Sequence, residues 1–256
     1  MRLLLPGGSI FLIMLATSCA VREKVVYFQD SETGGDTLKP YNYSPVYHAN
    51  DLLSVSVSAM DAEAVKPFNT NVIAYTAEDG KASSVPMQQG YFVDSAGMID
   101  LPVLGQVKVG DLTRSQATKL IREKLNAYVV NPIVTIKILN YKITVLGDVK
   151  VPGTFPIPSE RVTLPEALGM AGDMNITGIR KNVLVIRDID GVKTEFRVDL
   201  TSKECYNSPA YYLLQNDIVY VEPNKAKRNS STVGTNAGII VSVSSLIITT
   251  IILLTR

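Results

Sequence analysis

The chain has 256 residues, enough for one large domain or for two small ones with tails. Lys plus Arg number 25 and Asp plus Glu 24, so there is no cationic excess to displace counterions from a nucleic acid, which argues against a DNA or RNA partner. Charged residues make up 19% and hydrophobic residues 46%, and the apolar surplus sits largely at the two chain ends, pointing to membranes rather than to an unusually large core.

The first end has the layout of a secretory signal. Arg2 supplies a positive start, and Leu3–Leu5 with Ile10–Ala16 form an apolar stretch broken by Pro6, Gly7 and Gly8. That stretch is too short to span a bilayer. Ala16, Thr17 and Ser18 then lead into Cys19, a pattern that resembles the lipobox of bacterial lipoproteins. The expectation is a signal peptide over residues 1–18 and an acylated Cys19, with palmitate among its acyl groups. A single acyl chain holds a membrane only marginally, so a multiply acylated cysteine is the adequate anchor. The competing reading is an ordinary signal peptide that contains a cysteine near its end. Cys205, the other cysteine, then has no partner within the chain and reads as a small buried hydrophobe.

Residues 20–47 are polar and rich in turn formers, punctuated by Tyr27, Tyr41, Tyr43 and Tyr47, and read as a tether whose tyrosines pack on the body. In 51–59, Leu53, Val55 and Val57 alternate with Ser54, Ser56 and Ser58, the mark of a half-buried strand. Residues 61–89 show no clear period and read as a loop with short elements. Two short strands are expected in 91–109, around a turn at Asp94-Ser95-Ala96-Gly97. Residues 113–128 form the best helix: Thr113 and Gln116 make a capping box, and Ala117, Leu120, Ile121, Leu125 and Tyr128 share a face. Asn131-Pro132 stops it, and a strand over 133–139 follows, with Val134, Ile136 and Ile138 on one side.

A second unit begins at Lys142. A strand over 143–146 ends at Gly147, Val151-Pro152-Gly153 is a turn, and a short strand surrounds Phe155. Thr163 and Glu166 make a second capping box, opening a short helix for which Gly172 is the left-handed C-cap. Strands over 183–187 and 194–200 are joined by a tight turn at Asp190-Gly191, and a strand over 218–221 closes the unit. The order strand, strand, helix, strand, strand, strand fits a small β-grasp-like domain. The fold class expected is α+β: two small mixed domains and a C-terminal transmembrane helix.

The chain offers little for catalysis. His48 is the one histidine, and neither HExxH, CxxC nor GxSxG occurs. GxGxxG and Walker A patterns are absent too, and Gly169–Gly172 is a helix end rather than a phosphate loop. Asp94 and Asp100, or Asp188 and Asp190, stand at or near turns, which explains them more simply than paired acid–base work. No enzyme, metal or cofactor is expected.

In sequence order, three stretches resemble the polysaccharide export outer-membrane proteins. They are Ala49–Val57, where Ala49-Asn50 stands for the usual Pro-Gly before Asp51; Val93–Val107, a glycine turn at Gly97 followed by a strand with Pro102 and Gly105; and the helix opened by Thr113 with the strand after Asn131-Pro132. The second unit resembles the soluble-ligand-binding β-grasp module of that family. The match rests on Gly147, Pro152 and Gly153, on Gly172 with Asp173 in place of a second glycine, and on Asp217 before the closing strand. The resemblance implies an export domain over 43–140 and a β-grasp domain over 141–222, preceded by a lipidated tether over 19–42. It also implies a ring of identical subunits, an octamer in the family, that passes a polysaccharide chain through its lumen. The ring would sit in outer-membrane lipid, with the body periplasmic, and would dock on an inner-membrane copolymerase or tyrosine-kinase-type partner. The rival reading is a monomeric periplasmic lipoprotein that binds a soluble ligand through the β-grasp module.

The tail follows a basic cluster, Lys225, Lys227 and Arg228, and a linker over 223–236. Residues 237–255 carry no charge and, at about 1.5 Å per residue, would extend about 30 Å as a helix, one hydrocarbon thickness. Gly238, Ser242, Ser245 and Thr249 share one helical face and are the candidates to line a pore among copies. A simple anchor, with each hydroxyl bonded back to its own helix, and a strand in a closed barrel are the alternatives.

Overall fold

A computed structural model describes residues 25–30, 44–69, 71–78, 81–88, 90–189, 191–233 and 237–254. Cys19, Tyr41 and Tyr43 lie outside the described residues.

The body has two hydrophobic cores, one after the other along the chain. The first is built on β1 (Leu52–Ser58), whose alternation buries Leu53, Val55 and Val57 as expected. A short helix α1 (Ala62–Val65), capped by the Asp61 carboxylate, leads to a hairpin of β2 (Asn71–Glu78) and β3 (Lys81–Gln88). That hairpin replaces the loop expected over 61–89. Neither strand alternates apolar with polar residues, so period two gave no signal there. Then come β4 (Gly90–Phe92), β5 (Met98–Leu101) and β6 (Gly105–Lys108), three short strands where two were expected.

Helix α2 (Arg114–Leu125) has both halves of its capping box and buries Ala117, Ile121 and Leu125. Tyr128 falls beyond its end, exposed, with its ring centroid 5.9 Å from that of Phe68. Strand β7 (Ile133–Ile138) pairs antiparallel with β1, so β1 is the middle strand of a three-stranded sheet in the order β4-β1-β7. The central place also buries Ser54, which alternation alone assigns to the outer face.

The second core forms on a five-stranded mixed sheet. Its strands are β8 (Lys142–Gly147), β9 (Gly153–Pro156), β11 (Val183–Ile189), β12 (Val192–Val198) and β14 (Ile218–Val221). The order is β12-β11-β14-β8-β9, with β8 and β14 parallel. Helix α3 (Leu164–Met170) packs Leu164, Ala167 and Leu168 onto this core, and the small pair β10 (Val162–Thr163) and β13 (Tyr212–Leu213) adds Val162 and Leu213 to it. The expected order of strands and helix is observed, with this pair added.

Two helices follow. Helix α4 (Lys225–Val233) occupies a stretch read as linker; the Asn224 side chain accepts from the Lys227 amide at 2.9 Å and caps its start. Helix α5 (Ala237–Leu254) has 18 residues and is about 27 Å long. Among the described residues no helix is long and apolar enough to cross a membrane. The expected transmembrane helix is therefore not supported: α5 is helical where expected but falls short of the roughly 20 residues a span needs, and five of its positions are Gly, Ser or Thr between 238 and 249.

Candidate functional site

The residues that carried the family resemblance are brought to turns and strand junctions, not into one pocket. Asp51 is 2% exposed, and its carboxylate accepts from the His48 amide at 2.9 Å, closing the turn that starts β1. Burial pushes its carboxyl above the usual range. Asn50 in that turn has φ +72°, a left-handed conformation that Asn tolerates, which is why it can stand where the family usually has Gly. Gly97 has φ +75°, and its carbonyl accepts from both Val109 and Gly110 amides, at 2.9 and 2.8 Å. The Pro102 carbonyl accepts from Leu104 at 2.8 Å, and Gly105 turns the chain into β6.

The second unit uses its motif residues in the same way. A Cβ on Gly147 would lie 2.1 Å from the Val221 carbonyl oxygen, so no larger residue fits where β8 pairs with β14 at this position. Pro152 lies in the turn before β9, and Gly153 opens that strand. Gly172 is left-handed at φ +73° and ends α3, as expected; Asp173 at φ +72° follows in the same conformation. Asp217 is fully buried and paired with Arg187, whose guanidinium reaches its carboxylate at 2.7 Å and also donates to the Tyr212 carbonyl at 2.9 Å. Burial pushes the Asp217 carboxyl above the usual range, and the Arg187 guanidinium offsets only part of the rise. Arg187 was not singled out from the sequence; an arginine on the same strand face as Val183, Val185 and Ile189 was the available signal.

His48 is half-buried with Nδ1 enclosed and unbonded, beside a polar cleft of about 450 Å³ lined also by Asp51, Arg187 and Asn216. Among the described residues no group of His, Cys, Asp and Glu could hold a metal ion. Cys205 is buried, and burial pushes its thiol up to about 11, which keeps it an unreactive core residue.

Both flanks of the body attach to the second unit. The segment 25–30 lies on it: the Phe28 and Gln29 amides donate to Leu200 and Thr201 carbonyls at 3.1 and 2.7 Å, and Phe28 stacks on Tyr206 at 5.4 Å. The Tyr27 hydroxyl donates to Asp173 at 2.6 Å, under the Arg180 guanidinium. Tyr27 and Tyr47 thus both pack on the body. On the other flank, Lys227 of α4 pairs with the buried Asp148, which Asn175 and Thr177 also hold. Burial raises the Asp148 carboxyl, but these donors outweigh it and leave it below the usual range.

On α5, the hydroxyls of the candidate stripe bond back to their own helix: Ser242 to the Gly238 carbonyl at 2.7 Å, Ser245 to Ser242 at 2.9 Å and Thr249 to Ser245 at 2.8 Å. Such bonds satisfy the hydroxyls without a partner helix or water.

Residues 40–139 match the family described as polysaccharide biosynthesis/export protein, and residues 141–221 match the SLBB domain. The chain is 31% identical over 179 residues to the EPS I polysaccharide export outer membrane protein EpsA of Ralstonia solanacearum, an alignment covering 68% of this chain and 47% of that protein. It is 34% identical over 130 residues to the protein of the same name from Ralstonia nicotianae, covering 50% of this chain and 34% of that one. The chain spans about half, or less, of the length of these curated relatives. With its export domain followed directly by an SLBB domain, the chain belongs to the polysaccharide export family.

Proposed function

We propose that this protein is a subunit of an outer-membrane channel that exports capsular or extracellular polysaccharide from the periplasm. The observation that carries the reading is the match of an export domain and an SLBB domain in that order, joined to the likeness to two polysaccharide export outer membrane proteins. Transport through a lumen asks for shape and surface rather than for a reactive group, so the turn-forming roles of the motif residues suit it. The domains of the proposal are a signal peptide over 1–18, a tether over 19–42, the export domain over 43–140, the SLBB domain over 141–222, a linker over 223–236 and the tail beyond.

The finer parts of the proposal are an acylated Cys19, a ring of identical copies, and a tail that enters the outer membrane. Phe28, docked on the second unit, stands nine residues after Cys19, a reach of about 30 Å when extended. Helix α4 leaves the same unit. A lipid and a tail on one unit would bring that unit toward the membrane and leave the export domain toward the periplasm and its inner-membrane partner. At about 27 Å, α5 would suit only a thin bilayer, and bacterial outer membranes are thinner than average.

Two observations favour the second reading, a monomeric periplasmic lipoprotein: α5 satisfies its own hydroxyls and is short for a span. Electron microscopy of the particle extracted in detergent separates the two. A ring supports the channel; a monomer in every mild detergent sinks it. In cells, deletion of the gene should leave polymer inside the envelope, and the full chain should restore its release. Mass spectrometry of the mature protein checks Cys19: an unmodified N-terminus elsewhere ends that part. Single cysteines at Gly238, Ser242, Ser245 and Thr249, probed with a water-soluble thiol reagent, test the pore face. Uniform protection of all four leaves only an anchor.

A further inference from the structure

We propose that the apolar cavity between the two units is a binding site for a long-chain carboxylate, with its chain on Ile138, Leu139, Ile157 and Met170 and its head on Arg114 and the Tyr47 hydroxyl. The cavity measures about 870 Å³, within the range of about 300–1,000 Å³ typical of small-molecule sites, and such sites favour domain junctions. The first unit contributes Tyr47, Arg114 and the end of β7; the second contributes the chain after β9 and Met170 at the end of α3. Leu139 and Met170 leave much of their apolar surface uncovered at the opening.

The polar groups are few and converge. Tyr47 is 5% exposed, yet among the described residues its hydroxyl has no hydrogen-bond partner. The hydroxyl is open to the cavity, so an acceptor arriving there exchanges a water contact for a charge-assisted hydrogen bond. Burial pushes the Tyr47 phenol up to about 12, which keeps its proton on and its role that of a donor. The charged groups lining the cavity are Arg114, Lys137 and Glu160: two cations against one carboxylate. Glu160 pairs with Arg114, but a guanidinium carries five N–H donors and can hold a second carboxylate. An amphipathic anion therefore matches the apolar walls, the cationic balance and the idle hydroxyl together; a neutral sugar would leave the walls wet, and an amphipathic cation would meet the wrong charge. The site is present whether the chain forms a channel or acts alone.

The test uses the full chain in lipid nanodiscs and a dodecanoic acid bearing a diazirine near its end, with adducts mapped by mass spectrometry. Adducts should gather at Leu139, Ile157 and Met170, and unlabelled dodecanoate should compete while dodecyltrimethylammonium should not. Arg114→Gln should reduce labelling about tenfold, the scale of a lost hydrogen bond to a charged group, and Tyr47→Phe should reduce it several-fold. Glu160→Gln, which frees the guanidinium, should raise it, an effect that loss of folding would not produce. Circular dichroism confirms that the variants fold. Labels confined to residues 237–254 or scattered over the surface, equal competition by both surfactants, or labelling indifferent to Arg114 and Tyr47 would each overturn the proposal.

Discussion

The two units bury polar groups in different ways. In the first, Asp51 and Ser54 are small and sit beside backbone, and the Asp51 carboxylate takes a main-chain amide. In the second, a whole ion pair is enclosed: Arg187 and Asp217, with the guanidinium reaching two carbonyls that belong to the β13 region. The second unit also carries both flanking segments, through the 25–30 strap and through Lys227. The contrast teaches where failure propagates. Damage to the first unit stays in one small core, whereas damage to the second also releases both chain ends.

Two left-handed glycines give the sharpest contrast. Gly147→Ala should prevent the second unit from folding, because the new Cβ meets the Val221 backbone, and no cooperative melt of that unit should be seen. Gly105→Ala in the first unit meets nothing within 4 Å, so it should cost only the left-handed backbone penalty of about 1–2 kcal/mol. Equal melts for the two variants would contradict the close pairing of Gly147 with Val221 between β8 and β14.

Next comes the ion pair. Arg187→Met should destabilise the second unit by about 3–5 kcal/mol in a denaturant titration, since Asp217 is left buried with a single main-chain donor, Leu214. The double change Arg187→Met with Asp217→Leu should recover most of this loss. A double variant no better than the single one would mean that Arg187 matters for its carbonyl contacts alone.

The capping boxes compare like with like. Thr163→Ala and Thr113→Ala each remove a side chain that accepts an orphan amide, and each should cost about 1 kcal/mol. The expected result is a similar fall in midpoint for each unit's melt; no shift for Thr163→Ala would mean that α3 holds without its cap.

The smallest effect concerns pH. The folded Asp148 carboxyl lies below its usual value, so its contribution is fully present above about pH 4, the unfolded value, and is lost as pH falls through the folded one. A spin label at Ala226→Cys on α4 should keep constant mobility from pH 8 to pH 5 and loosen only below about pH 4. Asp148→Asn should loosen it at every pH. Loosening near neutrality would point to another group.

The sequence by itself determined the elements whose signals are local. Alternation buried Leu53, Val55 and Val57, the Thr113 and Thr163 boxes placed both main helices of the body, and Gly172 marked a helix end, because periodicity and capping act over a few residues. Its order of motifs also pointed to the family. What only the tertiary structure decided depends on partners far along the chain. The β2–β3 ribbon lacks alternation and shows itself only through strand pairing. Ser54 is buried because β4 and β7 flank its strand. Helix α4, whose second half (Asn229–Val233) is poor in intrinsic helix formers, has its Lys227 held by Asp148, 79 positions away. The free Tyr47 hydroxyl faces a cavity that exists only because residues near 136 and near 157 meet, a juxtaposition that no spacing along the chain encodes.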